Sequence, residues 1–221
     1  MTVRLLTRRL GCLAMAIPMV AAALMAADAA PVIPTSDQVV DRILNANAGG
    51  PSVAAADVRF KFRLNKPVTE PPDCEFEGTI QLIEGRQQVN IGRSTGGFQC
   101  WVLNRFMIGR LFQGTEPPSQ FLARFEFWVL GWRLVEGRPF YLVEGTARNP
   151  KNNPHGMIGW IDYDRGLVTD GTLRYAWGDI DSIQRYQRMS GAWVLVYQYL
   201  ETSRFGASME AQYSNFQFGA R

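Results

Sequence analysis

The chain has 221 residues, 23 basic against 20 acidic side chains, with 47% hydrophobic and 12% aromatic residues. A net charge of +3 without any run of basic residues excludes a polycationic arm and argues against nucleic acid as a partner. One histidine and three cysteines leave little from which to build a metal centre, and no cofactor motif is legible.

Arg4, Arg8 and Arg9 precede an uncharged apolar run from Leu10 to Met25, and Ala27-Asp28-Ala29 then offers the small residues a signal peptidase inspects. This predicts a secretory signal peptide over residues 1–29 and a single domain over 30–221. The run is broken by Pro18 and falls short of the roughly 20 residues a bilayer span needs, so no integral membrane span is expected in the mature chain. Thr7-Arg8-Arg9-Leu10 has part of a twin-arginine form, but Gly11 and Cys12 follow where apolar residues are usual. Cys12 lacks a lipoprotein box because Arg9 stands where an aliphatic residue belongs. Cleavage leaves 20 basic and 19 acidic residues, a balanced charge, and enough chain to bury about 70% of its unfolded surface.

Only Cys74 and Cys100 remain after cleavage. In an oxidising compartment they most simply form one disulfide, adding about 2 to 4 kcal/mol; the alternative is two buried thiols.

Thr35 followed by Gln38 has the form of a capping box, and Val39, Val40, Ile43 and Leu44 make an apolar stripe that ends at Gly49-Gly50. A helix over about 36–48 follows. Val58 to Leu64 then alternates strictly, the two-residue period of a strand with one dry and one wet face. Further strands are expected near 75–83, 87–93 and 98–104, with a fifth from Phe106 to Phe112. Gly114, Pro117 and Pro118 break the period, and a short central helix fits 119–126. Phe127–Val135 and Phe140–Ala147 flank Glu136-Gly137, while Met157–Tyr163 and Leu167–Tyr175 flank Asp164-Arg165-Gly166, as two hairpins. Ile183–Met189, Trp193–Glu201 and Ser208–Phe218 complete the pattern, and local meander pairing is the simplest topology for it.

The expected fold is mainly β: a curved antiparallel sheet forming an unclosed half barrel, with an N-terminal helix and a short central one. On its wet face Arg59, Lys61 and Arg63 answer Glu75, Glu77 and Gln81 across a strand pair, which predicts ion pairs over a docking patch. The dry face carries Phe60, Phe62, Phe76, Ile80 and Leu82 early, and Trp160, Leu173, Tyr175, Trp193 and Tyr197 later. If the sheet curls with one helix inside, these residues line an apolar cavity; if two layers press together, they are core.

Ser36-Asp37-Gln38-Val39-Val40-Asp41-Arg42-Ile43-Leu44, the Phe60 strand, Gly137-Arg138-Pro139-Phe140-Tyr141-Leu142-Val143 and Gly159-Trp160-Ile161-Asp162 stand in an order that, with the closing Glu210 to Asn215 strand, resembles the periplasmic lipoprotein carriers LolA and LolB. The resemblance implies an unclosed antiparallel barrel plugged by helices and holding lipoprotein acyl chains. The expectation is therefore a non-catalytic carrier, periplasmic or secreted, whose partner is a lipid or lipoprotein acyl chain, with an envelope protein as a further partner. The chain departs from LolA in having one strong helix and a Cys74 to Cys100 link.

Enzymatic readings are weaker. Gly92-Arg93-Ser94-Thr95-Gly96 matches a nucleophile elbow and His155 follows in the order of a hydrolase triad, so a secreted serine hydrolase using Ser94 and His155 is the alternative. That elbow belongs between a strand and a helix, whereas Phe98 to Val102 reads as a strand. Asp162, Asp164, Gly166 and Asp170 hint at a calcium loop, but Leu167 and Leu173 occupy the positions that need glycine and glutamate. Glu75 and Glu77 share one face, where neighbouring arginines favour ion pairing over acid–base work.

Overall fold

The computed structural model describes residues 32–46, 50–64, 74–83, 86–97, 100, 118–151, 154–202 and 206–219. The expected signal peptide and the 106–112 strand lie outside the described residues. Ile33–Arg221 is one of two compact units and contains every element that follows.

Ten strands make one antiparallel sheet: β1 (Ser52–Leu64), β2 (Cys74–Ile83), β3 (Arg86–Thr95), β4 (Phe125–Val135), β5 (Arg138–Ala147), β6 (Gly156–Asp162), β7 (Leu167–Tyr175), β8 (Gly178–Met189), β9 (Ala192–Thr202) and β10 (Ala207–Gly219). Their order is β3-β2-β1-β10-β9-β8-β7-β6-β5-β4, so the sheet is unclosed, with β3 and β4 as its edges among the described residues. Two meanders are present as expected, but they are not joined through β3 and β4. The last strand returns to pair with the first, Phe60 opposite Ala211 and Phe62 opposite Met209. Register shifts in β1 and in the β2–β3, β4–β5, β6–β7 and β8–β9 pairs add the local bends that turn a flat sheet into a curved one.

Helix α1 spans Ser36–Leu44. Its capping box is formed: the Gln38 backbone N–H donates to Thr35 Oγ1 at 3.3 Å and the Thr35 N–H to Gln38 Oε1 at 2.9 Å. It stops short of the glycines because Asn45 donates both its backbone N–H and its side-chain amide to the Asp41 carbonyl, tightening the last turn. The central helix, α2, is Pro118–Leu122. Of the expected strand over 98–104 only Cys100 is described, and it is not extended; the remainder lies outside the described residues. Gly97 and Cys100 are helical, and φ values of 108° at Gly96 and 75° at Gly97 break the extended chain before it.

One face of the sheet can be followed by register from Phe76 through Phe60, Ala211 and Gln198 to Gln184. The same face continues through Ile180, Leu173, Met157 and Gly145 to Phe127. We call this the inner face, because α1 packs on it. Two apolar clusters occupy it. Val58, Phe60, Phe62, Phe76, Ile80, Met209 and Ala211 form the first, and Val39 of α1 with Tyr141, Val143 and Ile161 forms the second.

Candidate ligand-binding face

The position of α1 follows from its last turn. Arg42 donates from Nε to the Tyr163 carbonyl at 3.1 Å and from Nη2 to that of Asp164 at 3.3 Å, so the helix is tied to the β6–β7 turn. Val39, fully buried, fills the space above Tyr141 and Ile161. Beneath the same turn Asp162 is 2% exposed; its carboxylate lies 3.5 Å from Arg138 and 3.6 Å from Arg165, and it accepts the Arg165 backbone N–H. Asp162 is thus engaged in the turn and its ion pairs, and Asp170 pairs with Arg133 of β4. Among the described residues no group of three or more His, Cys, Asp or Glu is placed to hold a metal.

The sequence-derived lining residues separate into three sets. Phe60, Phe62, Phe76 and Ile80 come together in the first cluster, which also takes in Cys74 and Cys100. Those two cysteines form the expected disulfide, with Cα atoms 5.4 Å apart. Leu82 pairs with Gln87, and its side chain lies outside the described residues. Leu173 is on the inner face opposite Ile180, Tyr175 stacks on Trp177 with centroids 4.9 Å apart, and Trp193 lies under the Arg165 guanidinium at 4.6 Å.

Trp160 and Tyr197 do not join them. Trp160 sits opposite Leu142 and Asp170 on the outer face, with the Arg133 guanidinium 4.0 Å above its ring. Tyr197 is opposite Arg185 and Gln212, with the Arg185 guanidinium 5.3 Å from its centroid. The cause lies in the chain itself. A register shift between Arg185 and Tyr186 interrupts β9, so alternation counted from Trp193 arrives at Tyr197 one residue out of phase. In β6 the run Met157-Ile158-Gly159-Trp160-Ile161 is apolar or small on both parities and carries no phase information.

Sequence reasoning missed the centre of the inner face. Between the two clusters, β8 and β9 present Ser182, Gln184, Tyr186 and Gln198, with Gln184 directly opposite Gln198. The Tyr186 hydroxyl donates to Gln184 Oε1, and the Tyr213 hydroxyl donates to Gln198 Oε1 at 3.2 Å. Burial pushes the Tyr186 hydroxyl up to about 12. Burial, then the proximity of Tyr186, raises that of Tyr213 as well. Both phenols therefore stay neutral far above physiological pH. The signal that finds these residues is parity: once Phe60 and Ala211 are paired, Gln198 and Gln184 fall on the apolar side.

The outer face is polar near β1 and β2. Arg59 pairs with Glu77 at 3.0 Å and Lys61 with Glu75 at 3.3 Å, the cross-strand ion pairs expected there. An open groove of about 570 Å³ lies beside them, lined by Asp57, Gln212 and Asn215 among others. A second, of about 320 Å³, lies over Ile158, Trp160, Thr172 and Ile183.

Ser94 lies within β3, opposite Phe76, without the positive φ that marks the strained serine of a nucleophile elbow. His155 sits between β5 and β7, its backbone bonded to Ala147 and Arg174. Seven steps of the strand order separate β3 from β6, and no contact between Ser94 and His155 is present among the described residues. No helix among the described residues is long and apolar enough to cross a membrane.

No family model and no curated protein matches the sequence. Solved structures do match in fold. A LolA superfamily protein from Nitrosomonas europaea superposes with a TM-score of 0.57 at 12% identity, over 86% of this chain and 96% of that one. A DUF1329 family protein from Desulfovibrio piger gives 0.59 at 11% identity, over 86% and 95%. An outer membrane lipoprotein-sorting protein domain from Vibrio parahaemolyticus gives 0.53 at 10% identity, over 82% and 92%. The fold is LolA-like.

Proposed function

We propose that this LolA-like sheet is a non-catalytic carrier that holds a lipid or the acyl chain of a lipoprotein against its inner face, in the periplasm, after removal of residues 1–29. The observation that carries the proposal is the imbalance between sheet and cover. Phe60, Phe62 and Phe76 are buried within the chain, but Leu173, Ile180, Leu200 and Tyr213 on the same face keep part of their surface exposed, and among the described residues the helix seen to pack on this face has nine residues. Apolar surface that the chain does not cover itself is stabilised by an apolar ligand, at about 25 cal/mol for each Å² removed from water. The lipoprotein-sorting domain among the fold's neighbours supports the same class of cargo.

The test is direct. Protein purified from the cells that make it is denatured, and its organic extract is analysed by mass spectrometry, while delipidated protein is titrated with N-phenylnaphthylamine, a dye that fluoresces in apolar surroundings. Co-purifying acyl species and saturable dye uptake are expected. A clean apo mass together with no dye uptake overturns the carrier.

A further inference from the structure

The polar patch at the centre of the inner face is at odds with a simple greasy trough. A surface that only had to accept hydrocarbon would gain by continuing the two apolar clusters across β8 and β9. Instead Gln184, Tyr186, Gln198 and Tyr213 interrupt them, each half-buried and all on the inner side by register. Placing four hydrogen-bonding groups among apolar neighbours is costly unless their bonding capacity is used.

The capacity is only partly used among the described residues. Each phenol donates its one O–H to a glutamine carbonyl oxygen. What remains by valence is the pair of N–H donors on each amide, the lone pairs of each phenol oxygen and the second lone pair of each amide oxygen. This is a set of neutral donors and acceptors. The inner-facing positions from Ile180 to Tyr186, Gln198 to Thr202 and Ala207 to Tyr213 hold no charged residue. Of the nearby charges, Asp181, Arg185 and Glu210 stand at positions of outer parity, and the first charge of inner parity, Arg188, lies two residues beyond Tyr186, opposite Trp193 and exposed. A carboxylate or phosphate brought to this patch would be desolvated without a counter-charge, whereas a hydroxyl, ester or amide exchanges water for hydrogen bonds of equal kind.

Resting on the carrier reading above, we infer that the inner face selects a lipid whose polar part is uncharged, a hydroxyl-, ester- or amide-bearing amphiphile, with that group seated between Gln184, Gln198, Tyr186 and Tyr213 and its chains over the flanking apolar clusters. The flanking geometry fits such a molecule. Apolar surface lies on both sides of the patch, Leu200 and Met209 toward one cluster, Leu173 and Val168 toward the other, so hydrocarbon can run either way from a central polar group.

The experiment is competition against bound N-phenylnaphthylamine at neutral pH, using monooleoylglycerol and oleate, which share one acyl chain and differ in head-group charge. Displacement by monooleoylglycerol at about tenfold lower concentration than oleate is expected, the difference that one or two neutral hydrogen bonds supply. In the Gln184→Leu/Gln198→Leu double variant the preference falls to about twofold or less, and Gln212→Leu, on the outer face, retains it. Equal displacement by the two lipids, or tighter binding of oleate, overturns the inference while leaving the carrier in place; so does a double variant that keeps the full preference. The wild-type comparison stands even if the double variant fails to fold. Failure of the dye to bind at all, together with a clean apo mass, overturns the carrier reading and this one with it.

Discussion

Gly166 stands against the main chain of Arg42: a Cβ built on Gly166 would lie 2.2 Å from the Arg42 carbonyl oxygen, and the residue's φ is +69°. The tight turn at β6–β7 and the last turn of α1 are thus fitted to each other backbone to backbone. Gly166→Ala is expected to push α1 off Tyr141 and Ile161 and to destabilise the protein by about 2 to 3 kcal/mol, strained backbone and displaced packing together. Urea denaturation measures it. An unchanged midpoint would show that the turn and helix move apart freely.

The carboxylate of Asp162 holds two guanidinium groups from beneath the same turn. Asp162→Asn keeps the size and removes the charge, leaving the buried Nε of Arg138 without its counter-ion. A loss of about 2 kcal/mol is expected, less than for a fully buried pair because both arginines are partly exposed. Thermal unfolding of the variant at low and at high salt checks this, and a difference that vanished in salt would assign the effect to the surface instead.

Cys74 and Cys100 tie the start of β2 to a segment 26 residues later, inside the first apolar cluster. Reduction, or replacement of both by alanine, is expected to lower stability by about 2 to 4 kcal/mol. The comparison is between denaturation curves with and without reductant. Identical curves would mean that the cluster holds Cys100 in place unaided.

The tyrosines of the inner face set an alkaline limit. The Tyr186 hydroxyl titrates near 12 in the folded protein against 10.0 for the free side chain. Because the folded value is raised, the neutral form is the one favoured by folding. Its contribution is complete below pH 10 and is lost as the pH climbs through 12. Stability should therefore fall across that window, and spectrophotometric titration should show Tyr186 ionising late, together with unfolding. A Tyr186→Phe variant that falls off identically with pH would remove the tyrosine as the cause.

Legibility from sequence varied with how local the cause was. Thr35 and Gln38 announce α1 because a capping box is complete within four residues. Leu167–Tyr175 is placed to the residue, bounded by a glycine turn on one side and the Ala176-Trp177 turn on the other. The side of the sheet on which Tyr197 falls was not legible. It depends on a register shift created by two strands together, and alternation within one strand cannot report it. The pairing of β1 with β10 was hidden for a similar reason, since nothing in either strand names a partner so far along the chain. The polar patch was overlooked because Gln184 and Gln198 resemble ordinary surface residues until the strands on either side are paired.

The join between β1 and β10 places one of the earliest strands beside the last, with Asp57 and Asn215 bonded across 158 residues. During synthesis β1, β2 and β3 emerge with Phe60 and Phe76 lacking the neighbours Met209 and Ala211 that will bury them. The seam can close only when the final strand has been delivered. Assembly is accordingly governed by a distant contact, of the kind that slows folding and leaves an adhesive half-sheet waiting in the meantime. A chain cut before β10 would retain two stretches of orderly hairpins and lose the strand that makes them one molecule.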